Sequence, residues 1–158
     1  MSAQAHEPAP RRVAHRAARR SLVAAVLLLL YLLVLLGLTM APHPREPAQL
    51  VNLIPFKSIL AGIRRGGWLL NVNVLGNIAA FAPLGLLVPA VSRRASASGI
   101  VLCGLLTSTS IEVAQWFLAR RVADVDDIIL NVVGALLGYG WYVLLVRSVP
   151  HPDHKHES

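Results

Sequence analysis

The sequence predicts an all-α integral membrane protein: a bundle of four transmembrane helices with a short interfacial helix or re-entrant segment after the first. The chain has 158 residues, of which 55% are hydrophobic and 15% are charged, and its mean hydropathy is +0.58. Soluble domains usually carry more charge, at about 25%. Four apolar runs approach or exceed the ~18–20 residues that a helix needs to cross a bilayer.

Residues 1–20 are predicted to be a disordered cytoplasmic tail. They carry five arginines just before the first apolar run, where an inside-positive topology signal belongs. The net charge of +7 therefore points to the membrane, and we expect no nucleic-acid binding. The first span is predicted at residues 21–40. A cleaved signal peptide is the alternative, but its apolar core would be shorter, at ~7–15 residues.

Residues 41–68 form the longest connection, in which three prolines end the first helix. After Pro55 the apolar residues have helical spacing, while the basic residues lie on another side. This pattern is typical of a short amphipathic helix in the membrane interface. A re-entrant or packed loop segment fits it equally well.

The other spans are predicted at residues 69–91, 98–118 and 128–146, and they complete a membrane domain over residues 21–147. A proline within a span frees a backbone carbonyl, which a neighbouring helix or hydroxyl must satisfy. Two glycines four residues apart permit close approach of another helix. We therefore predict that helix packing depends on Pro83, Gly85, Gly134 and Gly138.

Four spans with the N-terminus inside place both termini in the cytoplasm, including a polar tail at residues 148–158. The second and fourth spans then begin outside, and the third ends outside. Their polar side chains therefore converge on the outer leaflet. The candidate ligand-binding residues are Asn52, Asn73, Asn77, Glu112, Gln115, Arg121, Asp124, Asp127 and Asn131.

These candidates differ in how strongly they indicate function. A carboxylate at mid-membrane costs ~2.5–3.5 kcal/mol on insertion scales, so Glu112 is predicted to have a functional role. The amides alternatively serve only as interhelical hydrogen bonds. Asp124 is a suitable N-cap for the fourth span. Helical spacing places Asp124 and Asp127 on one side of the fourth span and Asp126 on another. Asp126 is therefore predicted to be solvated.

An ordered set of motifs resembles the VanZ-like family of small bacterial membrane proteins, over about residues 50–142. The motifs are Asn52-Leu-Ile-Pro-Phe56, Asn77-xxx-Phe81-x-Pro83-x-Gly85, Glu112-xx-Gln115 and Arg121-xx-Asp124-xx-Asp127-xxx-Asn131-xx-Gly134-xxx-Gly138. The resemblance implies a multi-pass protein of the bacterial plasma membrane. The family's name-giving member is associated with resistance to teicoplanin, and the family's molecular activity is not settled. One departure is Ala123, where the family pattern leads us to expect an aromatic residue.

The favoured hypothesis is a non-enzymatic envelope protein that binds an amphiphile in the outer leaflet, either a lipid-linked wall precursor or a lipoglycopeptide. Membrane lipids are further partners, because Lys57, Arg64 and Arg65 would attract anionic headgroups. We expect no cofactor.

The alternative is a metal-assisted membrane enzyme acting on a lipid or lipid-linked wall precursor, with Glu112, Asp124 and Asp127 as weak candidate metal ligands. The spans contain no histidine, which argues against that alternative. A transporter that uses Glu112 as a proton-linked group is the third hypothesis, and the absence of an obvious internal repeat makes it less favourable.

Overall fold

The computed structural model describes residues 9–40, 51–65, 68–92, 94–118 and 123–147. Four of the helices in these ranges are long and apolar enough to cross a membrane, so the predicted all-α membrane bundle is confirmed. The elements in chain order are α1 (Ala9–Thr39), β1 (Val51–Asn52), α2 (Lys57–Arg65), α3 (Trp68–Val91), α4 (Ala97–Phe117), β2 (Ala123–Asp124) and α5 (Val125–Arg147).

Helix α1 begins earlier than predicted. It starts at Ala9, whereas residues 1–20 were expected to be disordered, and its membrane-compatible part starts at Ala17. The physical reason is composition: alanine and arginine, which dominate this segment, are among the strongest helix formers. Residues 1–8 and the predicted tail at 148–158 lie outside the described residues.

Helices α3 and α5 form the most extensive contact between helices. A methyl group added at Gly85 would overlap the carbonyl of Ala135, and one at Gly138 would overlap the carbonyl of Ala82. A methyl group at Gly134 would likewise overlap the carbonyl of Ile78. The two backbones therefore touch directly, as small residues allow in membrane bundles.

Pro83 lies half-buried inside α3, where it has no N–H to donate to the carbonyl one turn earlier. The Tyr31 hydroxyl of α1 donates to the carbonyl of Ala80, at 2.7 Å. A hydroxyl from the neighbouring helix thus hydrogen-bonds the carbonyl that follows the one of Ala79, which Pro83 leaves without its usual helical donor.

The buried core of the bundle is small and is centred on Phe81 and Ile100, with Leu35, Leu84 and Ala135 around them. Most large apolar side chains instead lie on the outer surface of the helices. A helix that is apolar all round is typical of a membrane span, since hydrocarbon surrounds it. The exposed apolar side chains are therefore consistent with the four membrane spans that hydropathy indicates.

Candidate functional site

The candidate residues that the structure describes lie at one end of the bundle, named here the polar end, where α1 and α4 end and α3 and α5 begin. Its backbone frame is a short parallel pairing of β1 with β2, in which Val51 lies opposite Ala123 and Asn52 opposite Asp124. This pairing brings the start of the α2 segment onto the start of α5. The polar cluster defined by the contacts below comprises Asn52, Asn77, Glu112, Gln115, Asp124, Asp126, Asp127 and Asn131.

Asp124 connects three segments of the chain. Its carboxylate accepts hydrogen bonds from the Asn52 amide at 3.0 Å and from the Ser58 hydroxyl. It also accepts the backbone N–H of Asp126 at 2.9 Å, which is the geometry of an N-cap on α5. The backbone N–H of Asp124 donates to Glu112 Oε2 at 3.1 Å. The buried Glu112 carboxylate thus ties the end of α4 to the start of α5.

Asp126 is buried, with 1% of its surface exposed, and the prediction that it is solvated is wrong. Its carboxylate accepts the backbone N–H groups of Phe56, Ser58 and Ile59. The first N–H groups of a helix have no partner inside the helix, and Asp126 supplies one for α2. Considering α5 alone missed this contact, because the partner lies about 70 positions away in the sequence.

Phe56, which precedes α2, has a backbone φ of 64°. A bulky residue rarely adopts this left-handed conformation, which costs on the order of 1–3 kcal/mol when it occurs. The hydrogen bond from Phe56 N–H to Asp126 helps to hold it. The same carboxylate therefore fixes both the turn and the helix that follows it.

Three amides link the spans to one another. The Asn77 amide of α3 donates to Asp127 of α5 at 2.6 Å, and the Asn131 amide of α5 donates to the Ser108 hydroxyl of α4 at 2.8 Å. The Gln115 amide donates to the carbonyl of Thr39, at the end of α1, at 2.8 Å. All four long helices are thus joined by polar contacts.

Two of these amides have a buried oxygen that lacks a hydrogen-bond partner among the described residues: Gln115 Oε1 and Asn131 Oδ1. The orientation of Gln115 is fixed, because a backbone carbonyl such as that of Thr39 accepts hydrogen bonds and cannot donate them. Asn131 has the alternative of turning over, since the Ser108 hydroxyl both donates and accepts. A buried acceptor without a partner costs about 1–3 kcal/mol. The Gln115 oxygen is therefore suited to accept a hydrogen bond from a ligand.

Not every predicted residue joins the polar cluster. Asn73 is exposed on α3 and makes no side-chain hydrogen bond within the described part of the chain. Arg121 lies outside the described residues. The prediction omitted Ser58, although it follows Asn52 closely, and Ser108, although it precedes Glu112 by one helical turn.

The weak candidate metal ligands Glu112, Asp124 and Asp127 do not form a metal site in the described ranges, where no group of three or more histidine, cysteine, aspartate or glutamate residues is placed to hold an ion. Glu112 instead accepts the backbone N–H of Asp124, and Asp127 accepts from Asn77. These two carboxylates thus make contacts that join helices.

The fold and the polar end together define a multi-pass helical membrane protein with a polar cluster at one end of its bundle. The chain belongs to the VanZ/LLP1 family, whose model matches residues 28–146. It is also similar to the fluoride-specific ion channel FluC of Sphingopyxis alaskensis, with 31% identity over 94 residues, covering 52% of this chain and 71% of that protein. No solved structure matches the chain.

Proposed function

We propose that this chain binds the headgroup of an amphiphile at the polar end of its bundle and is not an enzyme. The amphiphile is a lipid-linked wall precursor or a lipoglycopeptide such as teicoplanin. The proposal rests on the buried Gln115 oxygen, which has a fixed orientation and no hydrogen-bond partner in the part of the chain that the structure describes. It lies within a cluster of carboxylates and amides. A headgroup bearing hydroxyl or amide N–H groups supplies a donor for that oxygen.

The surface beside the polar cluster suits the lipid tail of an amphiphile. Phe117, at the end of α4, is 74% exposed, and Leu118 after it is also exposed. Leu53 and Ile54, which follow the Asn52 contact, are exposed as well. Polar groups thus lie directly next to large apolar side chains, and an amphiphile has the same division.

The proposal places the protein in the bacterial plasma membrane with both termini in the cytoplasm and the polar end in the outer leaflet. The excess of arginine before the first span supports this orientation. Wall precursors and lipoglycopeptides are present at the outer face, so this orientation presents the polar cluster to them.

Similarity to a fluoride channel does not lead us to propose anion conduction. The polar end of this chain contains the carboxylates of Glu112, Asp124 and Asp126. The Glu112 carboxylate accepts the backbone N–H of Asp124, and the Asp124 carboxylate accepts the backbone N–H of Asp126. Charges of one sign in a poorly hydrated environment repel an anion strongly. A hydrogen-bonding headgroup fits this cluster better than fluoride does.

The test compares the lipids that copurify with wild type and with Glu112→Gln, identified by mass spectrometry. Glutamine keeps the shape and the acceptor for the Asp124 N–H but removes the charge. We expect the bound amphiphile to be lost or strongly depleted. Ser110→Ala is the matched control, because Ser110 lies exposed on the same helix and donates to its own backbone. An identical lipid complement in all three proteins would exclude a lipid-linked wall precursor as the ligand.

Drug susceptibility separates the two classes of amphiphile. If the ligand is a lipoglycopeptide, expression in a teicoplanin-susceptible host raises the inhibitory concentration, and Glu112→Gln abolishes that rise. If the ligand is a lipid-linked wall precursor, that precursor appears among the copurified lipids without any drug. A chain that shows neither behaviour does not have the proposed function.

A further inference from the structure

We propose that α2 is a recognition surface for anionic phospholipids in the leaflet that contains the polar end. Its apolar side inserts among acyl chains, and its basic side binds lipid phosphates. This inference concerns the bulk bilayer lipid and does not depend on the amphiphile proposed for the polar cluster.

The first observation is the division of α2 into three sides. At about 100° per residue, Leu60 and Ile63 share one side, named here the apolar side, and they are 51% and 58% exposed. Phe56, which precedes the helix, is also 54% exposed. Lys57 and Arg64 share a second side, the basic side, centred about 90° away, and both are exposed. A short helix with adjacent apolar and basic sides is typical of a membrane interface.

The third side faces the bundle. Helix α2 contacts α3 and α5, and Ile59 and Gly62 are partly buried. These two residues lie about 180° from the basic side. The basic side is therefore turned away from the protein, toward the surrounding lipid headgroups.

The second observation is how charge is distributed. Helix α2 contains no acidic residue, and within the described part of the chain neither Lys57 nor Arg64 forms an ion pair. The N-terminus of α2 is already occupied by the Asp126 carboxylate, so it does not bind a phosphate. The two cations are thus available to anionic lipids, and each is expected to strengthen that association about fivefold near a negatively charged surface.

The third observation is that α2 is fixed in place. Asp126 and Asp124 hold its first turn against α5 through backbone and side-chain hydrogen bonds. Because the helix is already ordered, lipid binding does not have to offset the entropy lost when a disordered segment folds. Lipid contacts then contribute directly to lipid selectivity.

The experiment uses the full chain with Cys103→Ser and Ile63→Cys, labelled with an environment-sensitive fluorophore and reconstituted in phosphatidylcholine vesicles with or without phosphatidylglycerol. Brominated acyl chains are expected to quench the probe. Native mass spectrometry of the unlabelled chain reports bound phosphatidylglycerol relative to phosphatidylcholine. The double variant Lys57→Gln with Arg64→Gln is expected to lower that ratio about fivefold for each charge removed.

The matched control is the charge-preserving double variant Lys57→Arg with Arg64→Lys, which is expected to keep the wild-type lipid ratio. Both basic side chains are exposed, so neither double variant should impair folding. Three results would overturn the inference: a probe that bromine does not quench, an unchanged ratio in the glutamine variant, or efficient disulfide formation between unlabelled Ile63→Cys chains. The last result would assign the apolar side to a second copy of the chain.

Discussion

At the scale of single residues, Asp124 and Asp126 organise the polar end by accepting hydrogen bonds from the same short segment. Asp124 accepts hydrogen bonds from the side chains of Asn52 and Ser58. Asp126 accepts hydrogen bonds from three backbone N–H groups of the same segment. Backbone donors at a helix start have few alternatives when water is excluded. The backbone contacts of Asp126 should therefore matter more to the position of α2 than the side-chain contacts of Asp124.

Asp126→Ala is predicted to release α2 from the bundle. It removes the acceptor of three N–H groups, and hydrogen bonds to a charged group contribute about 1.5–3 kcal/mol each. Because the three hydrogen bonds share one carboxylate, their contributions are not additive, and we expect a total loss of about 2–4 kcal/mol. Trypsin cleavage at Lys57 and Arg64 should accelerate accordingly, as followed by mass spectrometry.

Asp126→Asn serves as the graded control for this prediction. It keeps one acceptor oxygen, so its cleavage rate should fall between those of wild type and Asp126→Ala. Ser110→Ala, on the exposed side of α4, should cleave as wild type does. If all three variants were cleaved at one rate, Asp126 would not be what holds α2.

At the scale of elements, the contact between α3 and α5 depends on the absence of side chains. Gly85, Gly134 and Gly138 each face a backbone carbonyl of the partner helix, and the space between them has no room for a methyl group. Gly140, two positions further along α5, has nothing within 4 Å of the corresponding point. One helix thus carries both a glycine that the contact requires and one that it does not require.

Gly138→Ala is predicted to destabilise the bundle, and Gly140→Ala is its matched control. The first variant forces the helices apart at the Ala82 carbonyl, and overpacking of this kind typically costs about 1–3 kcal/mol. The second meets open space and should be neutral or stabilising by up to about 1 kcal/mol, since alanine favours a helix more than glycine does. Unfolding by dodecyl sulfate, followed by circular dichroism, measures both. Equal destabilisation by the two variants would contradict the role of close packing.

At the scale of the whole molecule, much of the fold could be predicted from the sequence because length and hydropathy determine how many helices cross a bilayer. The meeting of Asn77, Glu112 and Asp124 followed from the alternating direction of successive spans. The partner of Asp126 could not be predicted, because periodicity within α5 carries no information about a segment far away in the sequence. Asn73 shares a helical side with Asn77 but is exposed. Residue spacing does not show how far along that side a neighbouring helix stays in contact.

The orientation of the bundle in the membrane is tested with residues at its two ends. In a Cys103→Ser background, Leu53→Cys places a thiol at the polar end and Ser92→Cys places one after α3 at the opposite end, and both positions are exposed. With the polar end outside, a membrane-impermeant maleimide should label Leu53→Cys in intact cells and Ser92→Cys only after permeabilisation. The reverse pattern would put the polar cluster in the cytoplasmic leaflet, where an outer-leaflet amphiphile does not reach it. Because the contacts between helices would be unchanged, that result would alter the class of ligand without altering the site.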